Sequence, residues 1–466
     1  MIRRITAALV PLLLGACAMA GPYNAPNVPL APAWHAANTE TRPADPQWWH
    51  DFADPQLDAL ITAGLAGNTD IAMALARLDQ ARSAACAAHA ALLPQGQAQG
   101  TLARQRQSID SGLGRLVPYV PGLSRVQNQG DAGLSVNWDI DFAGGIAAQG
   151  RAAQADAVSA RAALEAARLA TAAEIADAYL AWRSARADRA LLLQQRDLIA
   201  RGAQIAMARV ARGDGARRDA DEARVTLAAI DAVLPDTQTA IGTARNRLAI
   251  LTGRPAGSDL PGLDTVAADA PMPVARAPAA GAPADLLRHR PDLVVAEARL
   301  RASHARIGAA LAEYWPKFSL AGLFGFSSND LSLLGGNSAN VITGAVGLRW
   351  RLFDFGRVDA EVAGARGAER EALAAYRGSV LDAGGDVENA FLVLDGAQHA
   401  LAARRAADAA EAGLLDQVRA SLRAGQSSEA DLVAARSRRI TSQRALLAAQ
   451  NALAAALVRC HRALGG

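Results

Sequence analysis

Polar and apolar residues alternate with a period of two from Asp131 to Phe142. Ala132, Leu134, Val136, Trp138, Ile140 and Phe142 fall on one face, and Asp131, Ser135, Asn137, Asp139 and Asp141, with Gly133, fall on the other. Alternation of this length predicts a strand with one apolar and one wet side. Three more stretches read the same way. Ile342, Val346, Leu348, Trp350 and Leu352 oppose Thr343, Arg349 and Arg351; Phe318, Leu320, Phe324 and Phe326 oppose Lys317, Ser319 and Ser327. In the weakest, Gln95, Gln97, Gln99, Gln105 and Gln107 mark the wet face, and the other face is mostly Ala and Gly with Leu102. Between these stretches the pattern changes. No proline interrupts Gly144 to Gly213 or Gly356 to Gly425, and charged residues recur throughout both runs. Each run predicts a water-bathed helix of about 100 Å, with Gly213 and Gly425 at sharp helix-to-helix turns.

The pattern is written twice. Asp70 to Pro94 aligns without gaps on Asp292 to Pro316, with Asp70/Asp292, Arg77/Arg299, Leu78/Leu300 and Pro94/Pro316 identical. After a shorter loop in the second copy, Trp138 matches Trp350, Gly213 matches Gly425 and Asp219 matches Asp431. Repeated Trp, Pro, Asp and Gly in constant register predict two copies of one structural unit.

Strands of about ten residues, apolar outside and polar inside, suit a transmembrane barrel; a soluble sandwich shows the same alternation. Residues 108–130 and 328–340 are the expected outward loops. Trp138, Trp315 and Trp350 fall at strand ends, where an interfacial aromatic girdle belongs, although each also fits an ordinary core. Four strands cannot close a pore, and open edges in lipid leave backbone groups unpaired. Two or three copies of the chain would close one; the pattern does not choose. A free antiparallel coiled coil is the other reading of the long helices.

The amino terminus adds an address. Arg3 and Arg4 precede an apolar run from Ile5 to Leu14, followed by Gly15-Ala16-Cys17. This has the parts of a secretory leader and is too short to span a bilayer as a helix. The Leu-Gly-Ala-Cys sequence resembles a bacterial lipobox, in which Cys17 becomes the lipid-modified amino terminus. The net charge is +3, and removal of Arg3 and Arg4 brings it nearer neutral, which argues against a nucleic-acid partner. Aromatic content is low at 4%, which favours helices packed through small side chains. Cys86 and Cys460 are no disulfide framework and read as small buried residues. The seven histidines are scattered without metal-ligand spacing, His89 and His304 read as solvated or packed, and no glycine-rich phosphate loop follows a strand. No catalytic residue, metal or cofactor is expected apart from the lipid on Cys17.

Several pieces together carry a family resemblance. They are Gly21-Pro22-Tyr23 after the lipobox, Trp48-Trp49-His50-Asp51-Phe52 with Asp54-Pro55-Gln56-Leu57, Leu286-Leu287-Arg288-His289-Arg290-Pro291-Asp292, Phe353-Asp354-Phe355-Gly356-Arg357 and the ending Arg462-Ala463-Leu464-Gly465-Gly466. Over essentially its whole length the chain resembles the TolC-like outer membrane factor family, in the lipoprotein branch serving resistance-nodulation-division efflux pumps. The resemblance implies a mainly α fold with a transmembrane β part, two repeats and four strands per protomer. A homotrimer would close one β-barrel continuous with a long helical periplasmic barrel. It implies two partners, an inner-membrane transporter and a periplasmic adaptor that opens the tip. The expected segments are a leader (1–16), an anchored amino-terminal part (17–65), a first repeat (66–253), a linker (254–285) and a second repeat (286–466). In the family's gate, aspartates past the tip turns ring the pore; Asp219 and Asp431 match them. A helix-dipole role at the start of the returning helices explains both equally well. A second gate aspartate of some members is Ala434 here. The tyrosine and arginine that lock the best-known member correspond to Leu422 and Ser427. The lock is then expected to use other groups, among them Arg212, Arg217, Arg218 and Arg423. A conduit for secreted protein and a pore-less scaffold remain alternatives; the lipobox and the tryptophan-rich segment favour the pump branch.

Overall fold

The computed structural model describes residues 21–29, 31–35, 47–122, 124–278, 282–285 and 289–466. The leader, Cys17 and Leu286 to Arg288 lie outside them. Each half of the chain repeats one order of elements. In the first half, α1 (Pro55–Gly67) and α2 (Thr69–Ala90) lead to β1 (Gln95–Arg106). A short α3 (Gly112–Leu116) precedes β2 (Val126–Ile140), α4 (Gly145–Arg212) and α5 (Arg217–Leu251). In the second half, α6 (Pro291–Leu311) leads to β3 (Lys317–Ser328), β4 (Asn340–Arg349), α7 (Phe355–Arg423) and α8 (Glu429–Leu464). The proline-free runs are single helices of 68 and 69 residues.

The chain forms two compact units. One comprises Gly21 to Pro26, Asp79–Ser159 and Ala296–Ala375 and contains one antiparallel sheet in the order β1-β2-β3-β4. Its register brings the four apolar faces together. Leu134 faces Ala98 and Phe324, Trp138 faces Leu320, and Phe318 and Phe324 face Leu348 and Ile342. A one-residue slip in any strand would turn its apolar set to the other side. β2 starts at Val126, five residues before the clear alternation, because Gln127, Asn128 and Gln129 are polar on both faces. It stops at Ile140, so Phe142 lies past the ladder. β4 ends at Arg349, which leaves Trp350, Arg351 and Leu352 outside it.

The second unit comprises Asn27–Leu78, Ala160–Val295 and Tyr376–Gly466. Trp48, Leu57, Ile61, Tyr179 and Trp182 are buried at its centre, and Trp48 stacks on His461 at 5.1 Å. A buried ion pair crosses this core. Asp54 caps α1 by accepting from the Gln56 and Leu57 backbone N–H groups, and Arg183 Nη1 of α4 meets its Oδ2 at 2.6 Å. The Tyr179 hydroxyl donates to the same carboxylate, and Arg183 Nη2 donates to the Pro271 carbonyl at 2.7 Å. One arginine thus ties the amino-terminal segment and the linker to the long helix. Arg290 does the same for the second half, with Asp292 at 2.7 Å, Asp386 at 3.1 Å and the Ala463 carbonyl at 3.0 Å.

Candidate functional site

The sheet presents two chemically opposite faces. The apolar face is uncovered: Ile342, Val346 and Leu348 are 76%, 78% and 62% exposed. A contiguous bare patch of this kind marks a surface meant for lipid or another protein. Along β2 it runs from Gly130 to Ile140, about 34 Å of strand, or about 26 Å of height at the usual barrel tilt. That matches the apolar band of an outer-membrane barrel. The other face is hydrogen-bonded and wet. Ser327 Oγ donates to Asp131 at 2.6 Å, and Ser135 Oγ donates to the Gln97 carbonyl at 3.4 Å. No single described helix is long and apolar enough to cross a membrane.

The tryptophans sit where strands meet helices. Trp138 Nε1 donates to the Leu92 carbonyl at 2.9 Å, and Trp350 Nε1 donates to the Tyr314 carbonyl at 3.0 Å. The two bonds occupy corresponding places in the two repeats and tie each second strand to the end of the preceding helix. Both rings stay partly exposed, as does Trp315. An aromatic with a wet N–H end and an apolar body suits a membrane interface. Beside them Arg351 pairs with Asp354 at 2.7 Å and Glu361 at 3.0 Å, outside the wet strand face where alternation puts it.

Both helix turns close in the same way. Gly213 and Gly425 have φ of +80° and +72°, the left-handed region that favours glycine. The N–H of Gly213 bonds the Val210 carbonyl and that of Asp214 bonds Arg209; Gly425 and Gln426 bond Leu422 and Ser421. This double bond pattern ends a helix sharply. Asp431 then sits in a reciprocal cap. Its carboxylate accepts from the Ser428 N–H at 2.8 Å and from the Ser428 hydroxyl at 2.7 Å, which holds its pKa below the usual range. Asp219 follows Ala216, which offers no capping side chain, and is exposed without a side-chain partner among the described residues. The structure therefore separates two aspartates that the sequence treats alike. The arginines expected at the lock are engaged locally: Arg218 with Glu222 at 2.7 Å, Arg217 with Asp221 at 4.0 Å, Arg212 with Asp214 at 3.8 Å, and Arg423 with the Arg419 carbonyl.

Two expectations need correction. Cys460 is buried, but Cys86 is exposed on α2. His304 is neither merely solvated nor merely packed: Nδ1 meets Glu369 Oε1 at 2.7 Å and Nε2 meets the Gly21 carbonyl at 3.0 Å. Among the described residues no group of His, Cys, Asp and Glu could hold a metal ion.

The sequence profile of the outer membrane efflux protein family matches residues 60–254 and 282–466. The chain belongs to the outer membrane efflux protein family. It is 29% identical to the outer membrane protein OprJ of Pseudomonas aeruginosa, over 99% of this chain and 95% of OprJ. It is 32% identical to the pyoverdine export outer membrane protein OpmQ of Pseudomonas putida, over 83% of this chain and 82% of OpmQ. The open-state MtrE outer membrane channel of Neisseria gonorrhoeae superposes with a TM-score of 0.81 at 27% identity, over 97% of this chain and 98% of MtrE. The protein is thus an outer-membrane efflux channel, built on the TolC-like fold of a channel family and not of an enzyme family.

Proposed function

We propose that this outer membrane efflux protein works as a homotrimeric conduit anchored by lipid on Cys17. In this reading an inner-membrane transporter of the resistance-nodulation-division type loads it through a periplasmic adaptor, and it passes small toxic molecules outward. The observation that carries the reading is the sheet. It offers one lipid-suited face and one wet face, and its outermost strands β1 and β4 keep unpaired edges within one chain. Open edges in lipid cost several kcal/mol per unpaired group. Three chains would give about twelve strands, within the range of known barrels. The two capped tip turns support a gate built from the hairpins α4–α5 and α7–α8, with Asp219 as its freer carboxylate. A narrow ring of carboxylates raises local cation concentration and repels anions.

The test is paired. The purified protein should migrate as a heat-resistant trimer and conduct in planar bilayers. Deleting its gene should raise drug susceptibility only in cells that keep the cognate transporter. A monomer without conductance, or unchanged susceptibility and export, overturns the proposal.

A further inference from the structure

The outer end of the first hairpin breaks the apolar pattern in one direction only. On β1, Leu102, Arg104 and Arg106 share a face, and Ala103 and Gln105 share the other. Leu102 belongs to the apolar face: its side chain converges with those of Leu331 and Leu334 over Gly130, the last position of the greasy band on β2. Arg104 and Arg106 therefore stand one and two pleats beyond that band, about 7 and 14 Å along the strand. At the same height the wet face carries neutral glutamine. The charge is thus confined to the side of the sheet proposed to face lipid.

Local acids do not explain these cations. Within one chain Arg104 and Arg106 are exposed and, among the described residues, have no hydrogen-bonded or ion-paired partner. Between Leu102 and Gly130 there are four arginines and a single carboxylate, Asp110. The carboxylate of the facing loop, Asp330, is taken by the Ser332 N–H and hydroxyl at 2.9 and 2.7 Å. The strand end itself is fixed, because Arg125 Nε and the Gln107 N–H close the hairpin by bonding the Gln107 and Arg125 carbonyls.

We propose that Arg104 and Arg106 form a binding site for phosphate groups on the lipids of the outer leaflet. Guanidinium forks bind phosphate bidentately, and long basic side chains just past an apolar band reach the headgroup level. The site continues the lipid-facing band and differs from it only in charge. It rests on the channel reading for its orientation, since it needs this end of the sheet to face outward.

The experiment uses the full-length protein in detergent micelles, titrated with lipid A, a glucosamine lipid bearing two phosphates, and with its dephosphorylated form. Native mass spectrometry counts the retained lipid, and planar-bilayer conductance is measured on the same samples. The wild type should prefer the phosphorylated lipid. Arg104→Gln with Arg106→Gln should weaken that preference by roughly thirtyfold, whereas Arg104→Lys with Arg106→Lys, which keeps the charge but loses the fork, should weaken it less. Arg104→Gln with Gln105→Arg keeps the net charge, moves one cation to the wet face, and should lose preference as well. Equal binding of both lipids by a conducting wild type would overturn the site and leave the channel standing. Loss of the trimer in the double glutamine variant, with lipid preference unchanged, would reassign the arginines to a subunit contact and overturn it too. A protein that prefers phosphorylated lipid yet never conducts would instead sink the channel reading.

Discussion

Val346→Arg and Ala345→Arg place the same charge on adjacent residues of β4 and on opposite faces. Val346 is 78% exposed and pairs with Leu320 in the apolar band; Ala345 pairs with Ala321 on the wet face. Val346 lies two residues from Gly344, near the middle of the band, so its arginine would sit within a pleat or so of the bilayer midplane. An arginine there costs about 2–4 kcal/mol per chain, against about 0–1 kcal/mol near the interfaces. Some snorkelling is available from a position off centre, so about 2–3 kcal/mol is expected, a loss of about 30- to 150-fold in the folded-to-unfolded ratio. A lumenal arginine stays hydrated and should cost under about 1 kcal/mol while altering ion selectivity. The assay is urea unfolding of the protein in lipid vesicles, with the heat-resistant oligomer in isolated outer membranes as a second readout. Equal costs at the two positions, or a larger cost at Ala345, would refute the assignment of the faces.

Asp431→Ala should enlarge single-channel conductance if its carboxylate guards the pore, whereas Ser428→Ala, which removes the cap and costs about 1 kcal/mol, should not; matching currents in the two variants would assign Asp431 to capping alone. Burial works against the His304 cation, but the Gly21 carbonyl and Glu369 carboxylate outweigh it and raise its pKa overall. The contact with Gly21 should therefore hold fully below about pH 6.5, the unfolded value, and weaken as pH rises through the higher folded value. Proteolysis near Gly21 should accelerate from pH 6 to pH 9, and a pH-independent rate would count against the clamp. Burial pushes the Cys460 thiol up to about 12, so an alkylating reagent at pH 8 should spare it in the native protein and modify it only after unfolding. In denaturant two thiols should react, Cys86 and Cys460; a third would show that Cys17 carries no lipid.

The repeat, the long helices and the turns at Gly213 and Gly425 were legible because each rests on local chemistry: period, absence of proline, and the backbone freedom of glycine. The strand faces were legible for the same reason. The start of β2 was not, because Gln127 to Gln129 leave no alternation to read, and only pairing with β1 makes them a strand. The indole bonds of Trp138 and Trp350 were hidden because their acceptors are carbonyls of Leu92 and Tyr314, which any residue could supply. The buried pair Asp54–Arg183 and the His304–Gly21 bond join residues far apart in sequence, where no spacing signals a partner. The departures at Leu422, Ser427 and Ala434 were visible, but the local pairing of the neighbouring arginines was not. Within one chain Arg217 and Arg218 are already engaged by Asp221 and Glu222.

The central claim is that the sheet spans the membrane with one face in lipid and one in water. Nitroxide labels at Leu134, Ser135, Val136 and Asn137, one per variant, in the protein reconstituted into vesicles test it most directly. Collision with oxygen should be high at 134 and 136, and collision with a water-soluble nickel chelate should be high at 135 and 137. Nickel access at all four positions, without alternation, would contradict the account.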